Sequence, residues 1–247
     1  MSSMIKRVLF AAIILTILPL VVLAMGWHWQ PTGSSSFFYL LYLVTETASN
    51  PWAILTCLVF AAVFTLLLRV SGRKALLLIS VLGVAILSGQ VIKSVLKNTF
   101  EEPRPYVTWL ESRYHIDDNY FYSLPRSERT TLVHDTLKND KQIPQWLKQH
   151  WEHETGYAFP SGHTMFAATW ALLAILFLWP RGYYITASLF LAWALTVAAS
   201  RLLLGMHWPA DLILSTTIST ALVIGVGWFC QRFKLLFQQK TTNTINK

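Results

Sequence analysis

Charged residues are scarce in this chain. Asp, Glu, Lys and Arg make up only 13% of its 247 residues, whereas 54% are hydrophobic and the mean hydropathy is +0.44. A typical soluble domain has about 25% charged residues, so this composition excludes an ordinary soluble domain. The sequence therefore predicts a protein that is embedded in a membrane.

Cysteine is equally rare. Only Cys57 and Cys230 occur, each inside or at the edge of an apolar run. Neither belongs to a Cys-x-x-Cys or other metal-ligand pattern, so the sequence indicates neither a disulfide framework nor a zinc site. We expect both cysteines to be packing residues.

Long apolar runs, by contrast, are abundant. A helix needs roughly 20 mostly apolar residues to cross the hydrocarbon core of a bilayer, and six stretches approach that length. They lie at residues 8–25, 51–68, 75–92, 164–179, 184–199 and 209–229. The sequence predicts an all-α integral membrane protein with six transmembrane helices, in one domain at residues 1–237. The polar tail at 238–247 is expected to be disordered.

Acidic residues are missing from one side of these six predicted helices. If the N-terminus is cytoplasmic, all twelve acidic residues fall on the opposite side and the cytoplasmic segments carry only basic ones. Those basic residues are Lys6, Arg7, Arg69, Arg73, Lys74, Arg181, Arg232, Lys234, Lys240 and Lys247. Because cytoplasmic loops retain Lys and Arg, both termini are predicted to be cytoplasmic. This topology explains much of the net charge of +8, so we expect no nucleic-acid partner.

The N-terminal run has a second interpretation. Lys6 and Arg7, an apolar run and the small residue Ala24 also fit a cleavable signal peptide. The run is long for a signal core, and Trp27 and Trp29 follow it as interfacial aromatic residues do. We therefore favour an uncleaved membrane anchor.

A polar stretch at about 93–161 separates the third and fourth predicted spans. Unstructured loops longer than about 15 residues are uncommon unless they have a function, so we predict an extracytoplasmic cap here. The spacing of apolar residues predicts helices at 127–139 and 144–154. An aromatic segment at 37–44 is too short to span and is predicted to lie along the outer interface.

Three polar clusters lie at the outer ends of the spans, and the first contains Lys97 and Arg104. Pro103 and Pro105 restrict the backbone around Arg104 to extended or turn conformations. Its guanidinium can then be fixed for bidentate contact with phosphate, while Lys97 adds a point charge. Taken alone, the cluster also fits an ordinary basic stretch beside a membrane.

The second cluster is Pro160-Ser161-Gly162-His163, directly before an apolar run. Ser161 suits the N-cap of the fourth helix, and Gly162 lets a ligand approach backbone amides at the positive end of the helix dipole. His163 then lies at the mouth of an anion site, where it can protonate a leaving oxygen. An ordinary helix start is the alternative interpretation.

The third cluster runs from Arg201 to Asp211. Pro209 suits the first turn of the sixth helix, which places Asp211 about one helical turn from His207. At that separation Asp211 can fix the tautomer of His207 and stabilise its cation. His207 is therefore a candidate nucleophile, and Arg201 can reach the same anion. The alternative is a capping Asp beside an interfacial His.

Together the clusters read Lys-x6-Arg-Pro, Pro-Ser-Gly-His and Ser-Arg-x5-His-x3-Asp. This pattern, complete and in order, resembles the signature of the type 2 phosphatidic acid phosphatase superfamily, which includes lipid phosphate phosphatases, glucose-6-phosphatase and vanadium haloperoxidases. The resemblance implies a phosphatase that needs no metal or other cofactor and that forms a phosphohistidine.

The resemblance also implies roles for individual residues. His207 is the nucleophile, His163 is the general acid, and Asp211 orients His207. The phosphate-binding residues are Lys97, Arg104, Ser161, Gly162 and Arg201. The implied substrates are bilayer lipids: phosphatidylglycerol phosphate, phosphatidate, diacylglycerol pyrophosphate and undecaprenyl pyrophosphate. The implied location is a bacterial inner membrane with a periplasmic active site.

Glu154, seven residues before Ser161, is a further candidate for orienting His163 or a substrate headgroup. The other acids of the loop are expected to be solvated. Five histidines lie outside the motifs and are expected at the surface or the interface: His28, His115, His134, His150 and His153.

Two rival functions stay open at this point. A vanadate-dependent haloperoxidase would share the anion site, but such enzymes are generally soluble and six spans argue against one. A transporter would line its pathway near the middle of the bilayer, where the sequence offers little beyond Ser88 and Gln90.

Overall fold

A computed structural model of the chain describes residues 2–31 and 35–233. This part of the chain is all-helical and holds no β-strand. Its α-helices are α1 (Ser2–Ala24), α2 (Ser36–Glu46), α3 (Trp52–Leu67), α4 (Gly72–Phe100), α5 (Pro105–Tyr114), α6 (Asp118–Ser123), α7 (Arg126–Leu137), α8 (Gln145–His153), α9 (Gly162–Phe177), α10 (Tyr184–Leu203) and α11 (Pro209–Arg232). The predicted disordered tail and the basic residues Lys234, Lys240 and Lys247 lie outside the described residues.

Five of these helices, α1, α4, α9, α10 and α11, are long and apolar enough to cross a membrane. They correspond to five of the six predicted spans. The second predicted span is present as α3, which is apolar but has only 16 residues, fewer than the roughly 20 that a bilayer core requires. The count of six spans therefore stays a prediction.

Helix α9 forms the centre of the bundle. Every residue from Thr164 to Phe177 is buried, and the helix packs against α1, α4, α10 and α11. Side-chain hydrogen bonds join it to α11: the Thr169 hydroxyl donates to Ser219 Oγ over 3.0 Å, and the Ser215 hydroxyl donates to the Ser161 carbonyl over 2.9 Å. Polar contacts of this kind hold helices together where the surroundings are apolar.

Helices α1, α3 and α4 carry many large apolar side chains that the rest of the protein leaves exposed, among them Phe10, Leu58 and Leu87. Such faces are what lipid contact requires. The third span was predicted to end at residue 92, but helix α4 continues for eight more residues, to Phe100. Residues 93–100 contain neither Gly nor Pro, and the first helix-breaking residue is Pro103.

The polar stretch that follows α4 folds into helices α5 to α8. Helices α7 and α8 match the two that the apolar spacing predicts, while α5 and α6 were not predicted. A separate apolar core that includes Tyr106, Leu110, Leu137 and Trp151 holds them together. The indole of Trp151 donates to the Leu204 carbonyl over 3.0 Å, so this cap is docked on the end of α10 where the third motif begins.

The predicted interfacial segment at 37–44 lies within α2. Ser35 caps this helix by accepting a hydrogen bond from the Phe38 amide, and α2 packs against α10. Its last turn carries Thr45, which is fully buried, and Glu46, which lines the cavity of the functional site.

Candidate active site

The three sequence clusters meet where the cap covers the ends of α4, α9, α10 and α11. Lys97 comes from the last turn of α4, and Arg104 comes from the loop before α5. His163 belongs to the first turn of α9, and Arg201 belongs to the last turn of α10. Segments far apart in sequence thus deliver three cations and a histidine to one place.

His207 and Asp211 form a buried pair at the start of α11. Pro209 occupies the first turn, as predicted, and the Asp211 carboxylate reaches back to accept hydrogen bonds from the Trp208 amide (3.0 Å) and from His207 Nδ1 (2.9 Å). His207 is 2% exposed and Asp211 is fully buried. Because Nδ1 donates its proton to the carboxylate, the neutral imidazole keeps a free lone pair on Nε2.

The surroundings of His207 favour its neutral form. Burial lowers the pKa of its imidazole well below the ordinary value, and the positive charges of Arg104 and Arg201 lower that pKa further. A nucleophilic nitrogen must be unprotonated to attack, so His207 is in the form that nucleophilic catalysis requires.

Ser161 caps α9 as the sequence predicts, since its hydroxyl oxygen accepts a hydrogen bond from the Thr164 amide over 3.3 Å. Gly162 follows, and a side chain there would collide with Lys93, because a Cβ on Gly162 would lie 2.6 Å from Lys93 Cδ. Glycine at this position therefore lets the Lys93 side chain pass over the start of α9.

Arg104 is extended, as the flanking prolines predict, with φ −77° and ψ 150°. The residue is 3% exposed, and its guanidinium donates to the Gly156 carbonyl over 2.6 Å and to the Met206 carbonyl over 3.4 Å. The Lys97 amino group donates to the Tyr157 carbonyl. The loop before α9 thus fixes both cations of the first cluster.

Glu154 lies at the centre of the site. One carboxylate oxygen is 2.9 Å from Arg104 Nη2 and 3.6 Å from Arg201 Nη2, and the other is 3.4 Å from His163 Nε2. Burial alone would raise the pKa of this carboxyl, but His163, Arg104 and Arg201 together hold the pKa well below its ordinary value. Glu154 is therefore an anion held by residues that the sequence assigns to phosphate binding or catalysis.

Arg201 is fully buried, yet its donors are incompletely used. Its Nη1 contacts Thr45 Oγ1 at 3.0 Å and His150 Nε2 at 3.2 Å. Its Nε and Nη2 atoms have no hydrogen-bond partner among the described residues. Because unpaired buried donors are costly, these two atoms suit a ligand anion.

A cavity of about 880 Å³ opens onto this site. Lys97, Arg104, His163 and Glu154 line its polar part, while Ile86, Phe166 and Ala53 line an apolar part. His207 is not among the lining residues; it directly follows Met206, whose carbonyl accepts from the lining residue Arg104. The shape and chemistry suit a molecule with an anionic group attached to an apolar one.

Residues 78–235 match the family described as the PAP2 superfamily. The chain belongs to this superfamily. It is 47% identical over 232 residues to phosphatidylglycerophosphatase B of Escherichia coli (strain K12), a match that covers 94% of this chain and 91% of the relative. It is 35% identical over 224 residues to phosphatidylglycerophosphatase B of Haemophilus influenzae, covering 87% and 92% of the two chains. The family resemblance drawn from the motifs is thereby confirmed.

One prediction for this PAP2 superfamily member is wrong. His150 was expected at the surface or interface, but it is only 4% exposed and contacts Arg201. On the amphipathic helix α8 it lies on the same face as Leu147 and Trp151, and that spacing was the available signal. The other four non-motif histidines, His28, His115, His134 and His153, are exposed as expected.

Sequence reasoning also missed Glu46, Ser49 and Lys93, which all line the cavity. Glu46 is the only acidic residue before Glu101, and an isolated acid beside apolar segments is a signal of function. Lys93 precedes Lys97 by one helical turn and so lies on the same face of α4. Ser49 gave no signal in the sequence.

Proposed function

We propose that this chain is a membrane phosphatase that hydrolyses lipid phosphates and pyrophosphates through a phosphohistidine on His207. The observation that carries the proposal is the buried His207–Asp211 pair, whose histidine feels the positive charges of Arg104, Arg201 and Lys97. Arg104 and Lys97 also line the polar part of a cavity whose other part is apolar. Membership of the PAP2 superfamily and similarity to proteins named phosphatidylglycerophosphatase B support the same conclusion.

In the first step, the lone pair on His207 Nε2 attacks phosphorus as the bond to the lipid oxygen breaks. The leaving oxygen takes a proton from His163, and the Asp211 carboxylate stabilises the positive charge that develops on His207. In the second step, water attacks the phosphohistidine while His163 takes back a proton from that water. Inorganic phosphate leaves, and both histidines return to their starting forms.

Three cations neutralise the transferred phosphoryl group in this scheme: Lys97, Arg104 and Arg201. Electrostatic stabilisation of this kind is the main source of catalysis in phosphoryl transfer. Ser161 and the amide of Gly162 add hydrogen bonds at the positive end of α9. None of these steps requires a metal ion.

Glu154 has a double role in this proposal. Its carboxylate neutralises Arg104 and Arg201 while the site holds no substrate, and a substrate phosphate takes over these contacts on its way to His207. Its second oxygen, 3.4 Å from His163 Nε2, supports the protonated form of His163 that donates to the leaving oxygen.

The cavity favours an amphipathic substrate over a soluble sugar phosphate, because Ile86 and Phe166 line its apolar part. A lipid phosphate can enter sideways between helices and keep its acyl chains in the bilayer. The substrates we propose are phosphatidylglycerol phosphate, phosphatidate, diacylglycerol pyrophosphate and undecaprenyl pyrophosphate. The names of the relatives favour phosphatidylglycerol phosphate.

We further propose six membrane spans with both termini cytoplasmic and the site on the periplasmic side of a bacterial inner membrane. Two features support this orientation. Basic residues lie at one end of α1, α3 and α4, and the acidic residues of the cap lie at the other end. Helix α3 serves as the second of these spans, in addition to the five longer helices, and a short span is accommodated by local thinning of the bilayer.

Phosphate release by the purified full-length chain in detergent tests the function. Phosphatidylglycerol phosphate and undecaprenyl pyrophosphate are supplied in separate assays with EDTA, and His207→Ala is measured beside the unmodified chain. Release that survives EDTA and disappears in the variant is the expected result. No release from either lipid by folded protein, or release that EDTA abolishes, would overturn the proposal.

A further inference from the structure

A second layer of polar residues lies behind the residues that the motifs define. Its centre is Glu46, at the end of α2. One oxygen of the Glu46 carboxylate, Oε1, is 3.2 Å from His150 Nδ1 and 3.3 Å from Ser49 Oγ. No motif contains these three residues, and they come from three segments: helix α2, the turn before α3, and helix α8 of the cap.

One branch of this layer leads from Glu46 to Arg201. Because a carboxylate only accepts, the proton of neutral His150 must lie on Nδ1, which donates to Glu46. His150 Nε2 is then a bare acceptor, and Arg201 Nη1 donates to it over 3.2 Å. A proton on Nε2 would instead place two donors face to face. Glu46 therefore selects the tautomer of His150 that can hold Arg201.

The other branch leads from Glu46 to His163. Ser49 Oγ is 2.8 Å from His163 Nε2. The single proton of the Ser49 hydroxyl has two acceptors within reach, Glu46 Oε1 at 3.3 Å and the Thr45 carbonyl at 3.4 Å. The charged carboxylate is the stronger acceptor, and with the proton directed there the Ser49 oxygen accepts the proton on His163 Nε2. Nε2 is also the atom that faces Glu154 in the cavity. Glu46 therefore also keeps the proton of His163 on the nitrogen that faces the cavity.

Burial makes the branch to Arg201 well defined. His150 is 4% exposed and Arg201 is fully buried, so water cannot easily replace their contacts. Thr45, also fully buried, accepts a hydrogen bond at its Oγ1 from the same Nη1 atom of Arg201 over 3.0 Å. The end of α2 thus reaches Arg201 in two ways. Thr45 contacts it directly, and Glu46 acts on it through His150 of α8.

We propose that Glu46 is a positioning residue that acts through Ser49 on the general acid His163 and through His150 on the phosphate-binding Arg201. This inference rests on the proposed function. It makes α2, which the sequence indicates only as an interfacial segment, a part of the active site. The two branches serve different steps of catalysis, so they are separable by experiment.

The leaving group separates the two branches. Phosphatidate releases an alkoxide, which needs a proton from His163, whereas diacylglycerol pyrophosphate releases a phosphate monoester, a weaker base that needs less help. Both substrates need Arg201, because both present a terminal phosphoryl group whose charge the same cations must neutralise.

The experiment measures kcat and KM on both lipids for Ser49→Ala, His150→Phe, Glu46→Ala and Glu46→Gln. We expect Ser49→Ala to lower kcat on phosphatidate about tenfold and to change kcat on diacylglycerol pyrophosphate much less. We expect His150→Phe to lower kcat/KM about tenfold on both lipids. We expect Glu46→Ala to show both losses of activity. Glu46→Gln keeps an Oε1 acceptor, so we expect it to retain most of the activity of the unmodified chain.

The chain offers a matched control in a second His–Glu pair, His134 and Glu152, whose Nδ1–Oε1 distance is 3.0 Å at the surface of the cap. His134→Phe is expected to leave both rates unchanged. Thermal unfolding in detergent establishes that each variant is folded. If the His150 variant does not fold, Ser49→Ala still tests the inference, because it is a small change in a turn.

Two results would overturn the inference. One is a Ser49→Ala variant that keeps the activity of the unmodified chain on phosphatidate or loses activity equally on both lipids. The other is a folded Glu46→Ala variant with unchanged kcat and KM. Failure of the proposed function is a different result, because the unmodified chain would then hydrolyse neither lipid.

Discussion

His207 and Asp211 are joined by a hydrogen bond of 2.9 Å between Nδ1 and a carboxylate oxygen, and almost no solvent reaches either residue. The bond forms because Pro209 begins α11 and puts Asp211 at the third position of the helix, where its carboxylate also accepts from the Trp208 amide. The geometry of a helix start thus prepares an imidazole for attack through Nε2.

Replacing Asp211 with Asn tests the importance of this bond. The amide is nearly the same size but carries no charge, so it neither enforces the Nδ1–H tautomer nor stabilises the imidazolium. We expect kcat for phosphate release to fall by at least about a hundredfold while the protein stays folded. An Asp211→Asn variant with a rate close to that of the unmodified chain would show that Asp211 is only a helix cap.

Glu154 is predicted to compete with anions for Arg104 and Arg201. In Glu154→Gln the carboxylate that neutralises both guanidinium groups is lost, so inorganic phosphate should inhibit several-fold more strongly, while kcat falls because His163 loses a negative partner. Inhibition constants and kcat measured on one lipid distinguish the two effects. Weaker inhibition by phosphate would mean that Glu154 helps to build the anion site and does not occupy it.

The pH dependence of activity should reflect the lowered pKa of His207. Because a group with a lowered pKa stays unprotonated to lower pH, the acid limb of kcat/KM is expected below the ordinary histidine value of about 6.5. Burial is the main cause, and Lys97 contributes positive charge. Lys97→Met should therefore move the acid limb to higher pH. A shift in the opposite direction would show that another group controls this limb.

Gly162→Ala tests the close approach of α9 to α4. The added Cβ would lie 2.6 Å from Lys93 Cδ, so the Lys93 side chain must move, and its hydrogen bond to Gln90 Oε1 of 2.9 Å must break or shift. We expect a loss of activity of roughly tenfold with little loss of stability. The control is Gly83→Ala on α4, where no neighbouring group of the described residues, apart from the helix's own backbone, lies within 4 Å of the added atom; equal effects of both variants would contradict this account.

The parts of the site that the sequence predicts are those whose geometry is local. Ser161 as a cap of α9, Pro209 in the first turn of α11 and the extended backbone at Arg104 each follow from a few neighbouring residues, and the structure agrees. The motifs add the expectation that these segments meet, because their residues lie at the same end of the predicted spans.

The parts that the sequence does not predict depend on distant contacts. Ser49 and His163 are 114 positions apart, and Thr45 and Arg201 are 156 positions apart. Periodicity places His150 on the buried face of α8, but neither hydropathy nor periodicity shows which span that face covers, so the contact of His150 with Arg201 was missed. The predicted span at 51–68 differs from α3 by only one residue at each end, since hydropathy does not show that a turn occupies residues 47–51.

The central claim is that His207 carries the phosphoryl group, and trapping the intermediate tests it most directly. The full-length chain is mixed with diacylglycerol pyrophosphate labelled in its terminal phosphate, quenched within one turnover and digested. We predict acid-labile, base-stable label on the peptide that contains His207, and none in His207→Ala. Label on another residue, or turnover by folded His207→Ala at a rate close to that of the unmodified chain, would contradict the account.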